Sequence, residues 1–149
     1  MTVVSDASEF TKVVKGFVAT KASGTLASTA IPVFTVAGGQ VLITSVWLLV
    51  TTSITAASTV ALQQNPTTGD TQTLVTATDL GTSDTAAGSI VGLDQGTTAA
   101  SKFLRGGRHD IDWVITIGQV EILPASANGA VTIGCTWVPL TAGATLVAA

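Results

Sequence analysis

The sequence predicts an all-β chain: a single-domain β-sandwich or jelly-roll-like barrel of about eight short antiparallel strands. Three observations predict it. Val, Ile and Thr dominate the apolar runs, and these residues are stiff at χ1 and suit a pleated surface. Gly, Pro, Asn and Asp break those runs at short intervals, as at Gly38-Gly39, Asn65-Pro66 and Asn128-Gly129, which are turn signals. No segment keeps its apolar residues at the spacing of an amphipathic helix.

The 149 residues are enough for one domain with a sizeable core. We divide them into an N-terminal arm or edge segment, 1–24, and a β-sandwich domain, 25–149. The first segment carries Lys12, Lys15 and Lys21, half of the six basic residues. Ser5 to Glu9 has the composition of a short capped turn, and Lys12 to Val18 is strand-like. Two roles fit: an edge strand whose lysines discourage edge-to-edge pairing, or an arm reaching a neighbour through Phe10, Lys12, Lys15 and Phe17.

From Gly24 to Val36 a strand is expected with a break at Pro32, which cannot donate to a ladder. Gly38-Gly39 predicts a hairpin into the long strand Gln40 to Thr52. This strand belongs to Ile31–Gln64, a stretch without a charge, and its run Val46-Trp47-Leu48-Leu49-Val50 is apolar on both faces. One face is expected in the core and the other against a second protomer, with Trp47 and Leu49 at that contact. Ser58 to Gln63 and Thr71 to Thr78 are two further strands around the turn Asn65 to Asp70.

Asp79 to Gly96 reads as a long loop of the binding type, with a short strand at Ser89 to Leu93 as the alternative. Asp112 to Leu123 reads as one strand with a bulge at Gly118. Asn128-Gly129 predicts a hairpin. Ala130 to Val138 alternates, with Val131, Ile133, Cys135 and Trp137 on one face. Ala144 to Ala148 closes the chain.

Composition bounds the function. Hydrophobic residues make up 46% of the chain and charged residues 10%, against about 25% charged in typical soluble domains. So few charges point to a surface partly covered by copies of the chain or by a partner. A net charge of −3 with six basic residues argues against nucleic-acid binding, which needs a basic stripe. No run approaches the roughly 20 apolar residues of a membrane helix. The N-terminus has no basic region followed by an apolar one, so no signal peptide is expected, and synthesis in a host cytoplasm is. The single cysteine, Cys135, leaves no partner for an intramolecular disulfide or a Cys-based zinc site.

The densest polar cluster runs from Lys102 to Asp112. His109, Asp110 and Asp112 form a poor metal set: neighbours on a strand point to opposite faces, and there is no second histidine. The alternatives are a solvated loop with weak local ion pairs, or an intersubunit contact in which Arg105 and Arg108 pair with Asp94 or Glu121 of a neighbour. We favour the contact. Trp47, Trp113 and Trp137 sit in apolar strands, where core packing is the default. Cys135 shares a face with Ile133 and Trp137 and reads as a small buried hydrophobe. No nucleophile elbow, phosphate loop, dinucleotide fingerprint or zinc-protease motif is present. No catalytic, cofactor-binding or metal residue is therefore assigned.

Three stretches carry a resemblance: IPVFTVAGGQVLITSVWLLVTTSI, NPTTGDTQTLVTATDLGTSDTAAGSIVGL and GAVTIGCTWVPLTAGATLVAA. They resemble the small capsid decoration (cement) proteins of tailed bacteriophages and related virion accessory proteins, from about Ile31 onward. The resemblance implies a non-enzymatic structural protein of the virion, a homotrimer docked on the outer capsid lattice against the major capsid protein. The arm and the Asp79 to Gly96 loop are the expected capsid-contacting elements. The competing readings are a receptor- or glycan-binding head-fibre or tail domain and a small cupin-like enzyme, the latter needing a histidine cluster.

Overall fold

The computed structural model describes residues 15–80, 85–94, 102–105 and 109–149, with the backbone alone described at 93–94, 102–105 and 109–111. The elements in chain order are β1 (Phe17–Thr25), β2 (Ile31–Ala37), β3 (Val41–Thr52), β4 (Thr59–Pro66), β5 (Gln72–Asp79), β6 (Ile90–Asp94), β7 (Lys102–Arg105), β8 (His109–Ile115), β9 (Gly118–Pro124), β10 (Ala130–Pro139) and β11 (Thr145–Ala148). The fold is all-β and antiparallel, in two open sheets. Sheet A runs β1-β10-β3-β6-β7, with β8 also on β3; sheet B runs β11-β2-β9-β4-β5.

β3 is the axis of sheet A. β10 pairs along one of its edges from Val41 to Thr52. The other edge is shared end to end: β8 takes Val41 to Val46 and β6 takes Trp47 to Leu49. The side-chain alternation of β3 changes phase at a bulge. Val41 and Ile43 are buried, then Val46, Leu48 and Val50, and the register shifts between Ile43 and Ser45 and between Thr136 and Trp137. The extra residue leaves Thr44 and Ser45 both beside Thr136, and each of their hydroxyls shares a hydrogen bond with the Thr136 hydroxyl. A bulge is how a strand with an odd apolar spacing keeps both halves facing one core.

The inward residues of the two sheets form one cluster. Ile43, Leu48, Ile133 and Cys135 of sheet A meet Phe34, Leu62, Val120, Ile122 and Leu146 of sheet B. On the edge strand β1, Phe17 stacks on Trp137 with ring centroids 4.9 Å apart. Lys21 shares this side of the strand and donates its ammonium to the Ala149 carbonyl beside β11, a charge turned inward at a sheet edge.

Several expected connections are different in the structure. Gly38-Gly39 and Asn128-Gly129 close no hairpins, because β2 and β9 lie in sheet B while β3 and β10 lie in sheet A. Gly118 is not a bulge within one strand. The chain breaks at Thr116-Ile117 and passes from sheet A to sheet B. The Asp79 to Gly96 segment is not one long loop. Thr85 is buried and bridges Ile54, and Ile90–Asp94 is a strand inside sheet A. Lys102–Arg105 is a strand inside the polar cluster, and β8 begins at His109, three residues before the expected strand start at Asp112. These account for eleven strands among the described residues where about eight were expected.

Candidate interaction surface

The outer face of sheet A follows from the strand registers. Four cross-strand rows cover it: Val138, Leu42 and Val114; Val18, Thr136 and Ser45; Thr20, Gly134, Trp47 and Gly92; Ala22, Thr132, Leu49 and Ile90. By register the second row continues on β8 to Asp110; the side chains of the other row members carry no charge. Val18 is 63% exposed, and Leu49, Ile90 and Val114 are exposed as well. Asp112 stands at the margin on β8 and is exposed.

Trp47 lies flat at the centre of this face, with a glycine as its partner on either side. A Cβ on Gly134 would come within 2.3 Å of Trp47 Cζ2, so the ring occupies the space that any other residue at 134 would fill. The glycine thus serves close approach, as an isolated glycine within a strand often does. In the rows around the ring Ser45 and Thr136 are buried, while Val18, Thr20 and Ala22 on β1 are exposed.

The outer face of sheet B is of the opposite kind. Its rows are Val147, Thr35, Gln119 and Asn65, and Pro32, Glu121, Gln63 and Thr73. Glu121 is only 5% exposed. Gln63 donates to one of its oxygens at 2.6 Å and Asn65 to the other at 3.1 Å. The carboxylate is therefore satisfied by carboxamides of the neighbouring strand.

The end of the molecule where β2 meets β3 and β8 meets β9 holds two depressions on either side of Ile117 and Thr67. One, of about 550 Å³, is lined by Thr35, Asn65, Pro66, Thr67, Gln119 and their neighbours. The other, of about 350 Å³, is lined by Gly39, Gln40, Thr67, Thr68, Thr116 and Ile117. Gly118 lines the larger one, and a Cβ there would meet the Asn65 carbonyl oxygen at 2.4 Å. The crossover is held from inside by buried Gln64, whose amide donates to Thr116 Oγ1.

The expected interface residues are distributed as follows. Trp47 and Leu49 lie together on the outer face of sheet A. Phe17 is part-exposed at the β1 edge but turned towards Trp137, and Lys15 is exposed just before it. Asp94 ends β6, where its backbone pairs with Lys102, and Arg105 ends β7, paired with Val91. Phe10, Lys12 and Arg108 lie outside the described residues, as do the side chains of Asp94 and Arg105. Glu121 was the alternative carboxylate for a neighbour's arginine; it is corrected to a buried group already hydrogen-bonded within its own sheet.

Of the three tryptophans, Trp137 is in the core and Trp113 packs against it, but Trp47 lies on the outer face. Cys135 is fully buried, and burial pushes its thiol up to about 12, opposed by a hydrogen bond to the Ala19 backbone. Among the described residues no three His, Cys, Asp or Glu groups come together as a metal set. The sequence reading missed Val18, Ile90 and Val114 as part of the face. Their signal was weak because three separate segments supply them, and only the register puts them in rows.

Comparison with protein-family models, with curated proteins and with solved structures gave no match.

Proposed function

We propose that this chain is a non-enzymatic structural protein of a virion, a decoration or cement protein that binds the outer lattice of a bacteriophage capsid as a homotrimer. In this reading the two sheets form a jelly-roll-like sandwich, and the outer face of sheet A is the contact between protomers. The observation that carries the reading is that face: rows rich in apolar and small hydroxyl side chains, with Trp47 at the centre and exposed Val18, Leu49, Ile90 and Val114 around it. Exposed apolar area on this scale marks an interaction site on a soluble protein.

Assembly into a trimer presents three identical capsid-binding surfaces. A lattice that holds its sites at matching spacing then gains avidity from contacts that are weak singly. Partners in this reading are other copies of the chain and the major capsid protein, and the location is the capsid surface. Size-exclusion chromatography with light scattering tests the first half: the expected mass is three times the 14.9 kDa of one chain. A monomer across the micromolar range would refute it. Co-sedimentation with capsids of the phage that encodes the chain tests the second half, and protein left in the supernatant would refute that.

A further inference from the structure

We infer that the end of the molecule around Ile117 is a binding site for an uncharged saccharide. The inference concerns a different surface from the one that carries the proposed assembly and does not depend on it.

The larger depression, about 550 Å³, falls in the range of small-ligand sites, roughly 300–1,000 Å³. Among the described residues no charged side chain lines it or its smaller neighbour. That leaves nothing to balance a phosphate, a carboxylate or a metal ion, so the ligand is neutral. The polar groups on the walls are the carboxamides of Asn65 and Gln119 and the hydroxyls of Thr35 and Thr67. Each such group both donates and accepts, as a pair of neighbouring sugar hydroxyls does. Pro66 and Ile117 supply apolar wall beside them, with Ile117 46% exposed, and the C–H face of a sugar ring needs such a surface.

The site is preorganised. Asn65 donates to the buried Glu121 carboxylate, which orients its amide and turns the carbonyl oxygen outward, where Thr71 reaches it at 3.4 Å. Gly118, pressed against Asn65 and Pro66, keeps this lining rigid. An extended peptide is a poorer occupant. It would need an open strand edge, and here β4 is paired with β9, and β9 with β2, along the whole rim. Among the described residues no aromatic ring lines the depressions to stack on the sugar, so each site binds weakly, in roughly the millimolar range.

Saturation-transfer NMR on the full chain tests this, with maltose, lactose and N,N′-diacetylchitobiose as neutral probes and N-acetylneuraminic acid as the charged one. The expected result is transfer to at least one neutral disaccharide and none to the acid. Gln119→Ala should weaken binding about tenfold, the loss of one hydrogen bond of about 1.4 kcal/mol. Thr67→Glu, at an exposed turn position, should abolish it with an unchanged melting temperature. No transfer from any neutral probe, equal transfer from the acid, or transfer that survives Thr67→Glu would overturn the assignment.

Discussion

The two sheets are alike on the inside and opposite on the outside. Inward, both present Val, Ile, Leu and Phe to one core. Outward, sheet A presents Val, Leu, Ile, Trp and small hydroxyl residues, whereas sheet B presents Gln, Asn, Thr and one carboxylate clasped by two amides. A strand that is apolar on both faces costs nothing extra when its outer side is covered, and a polar outer side is stable in water alone. The difference teaches that the exposed apolar side chains are not spread evenly: Val18, Leu49, Ile90 and Val114 lie on sheet A and Val147 on sheet B, so sheet A is the face to perturb.

The largest expected effect is on assembly. Leu49→Lys with Ile90→Lys places two ammonium groups on the outer face of sheet A and should reduce the light-scattering mass to that of one folded chain. Val147→Lys with Thr73→Lys does the same to sheet B, where Val147 is also exposed, and should leave the mass unchanged. Equal responses from the two pairs would abolish the contrast between the faces.

The layer beneath both faces comes next. The Cys135 thiol stays protonated in the folded chain to about pH 12, while its ordinary value is 9.0. The unfolded chain therefore releases this proton first, and its contribution to stability is whole below pH 9 and lost between pH 9 and 12. Three units correspond to roughly 4 kcal/mol, a large part of the 5–15 kcal/mol typical of a domain. The chain has no tyrosine, which removes one competing titration. Urea denaturation of wild type and Cys135→Ala across that range should show the wild type losing stability faster. Parallel curves would mean that burial does not shift the titration of the thiol between the unfolded and the folded chain.

Smaller effects sharpen each face separately. Gly134→Ala should lift the Trp47 ring, cost about 1–3 kcal/mol and shift tryptophan emission to the red. Unchanged emission would show that the ring does not rest on Gly134. Glu121→Ala leaves the amides of Gln63 and Asn65 without their acceptor and should cost about 1–3 kcal/mol by thermal denaturation. Glu121→Gln should cost less. A cost above that of Gly134→Ala would make the polar face the more tightly built of the two.

Strands were more legible in the sequence than their partners. The alternation of Val131, Ile133, Cys135 and Trp137 gave the buried face of β10 directly, because one-sided burial leaves a period of two. The turn from Asn65 to Asp70 was legible because it joins two strands adjacent in one sheet. Gly38-Gly39, Gly118 and Asn128-Gly129 were recognised as breaks and misread as hairpins or a bulge. Each supplies a backbone with positive φ, and that requirement is the same whether the chain returns along its neighbour or steps across to the opposite sheet. Trp47 and Leu49 were legible as facing away from the core, since an unbroken apolar run has two faces to place. The carboxamide end was not, because Thr35, Asn65 and Gln119 come from three distant segments and carry no motif.

The pairing of β3 with β10 also sets the order of events during synthesis. Thr44 and Thr136, joined at the bulge, are 92 positions apart, and β1 is held by the same late strand. A chain leaving the ribosome exposes its most apolar strand long before either of these ladders can close. Folding dominated by such distant pairings is slow. The nascent protein therefore spends most of its translation with β3 unprotected, the interval in which a chaperone has the most to hold.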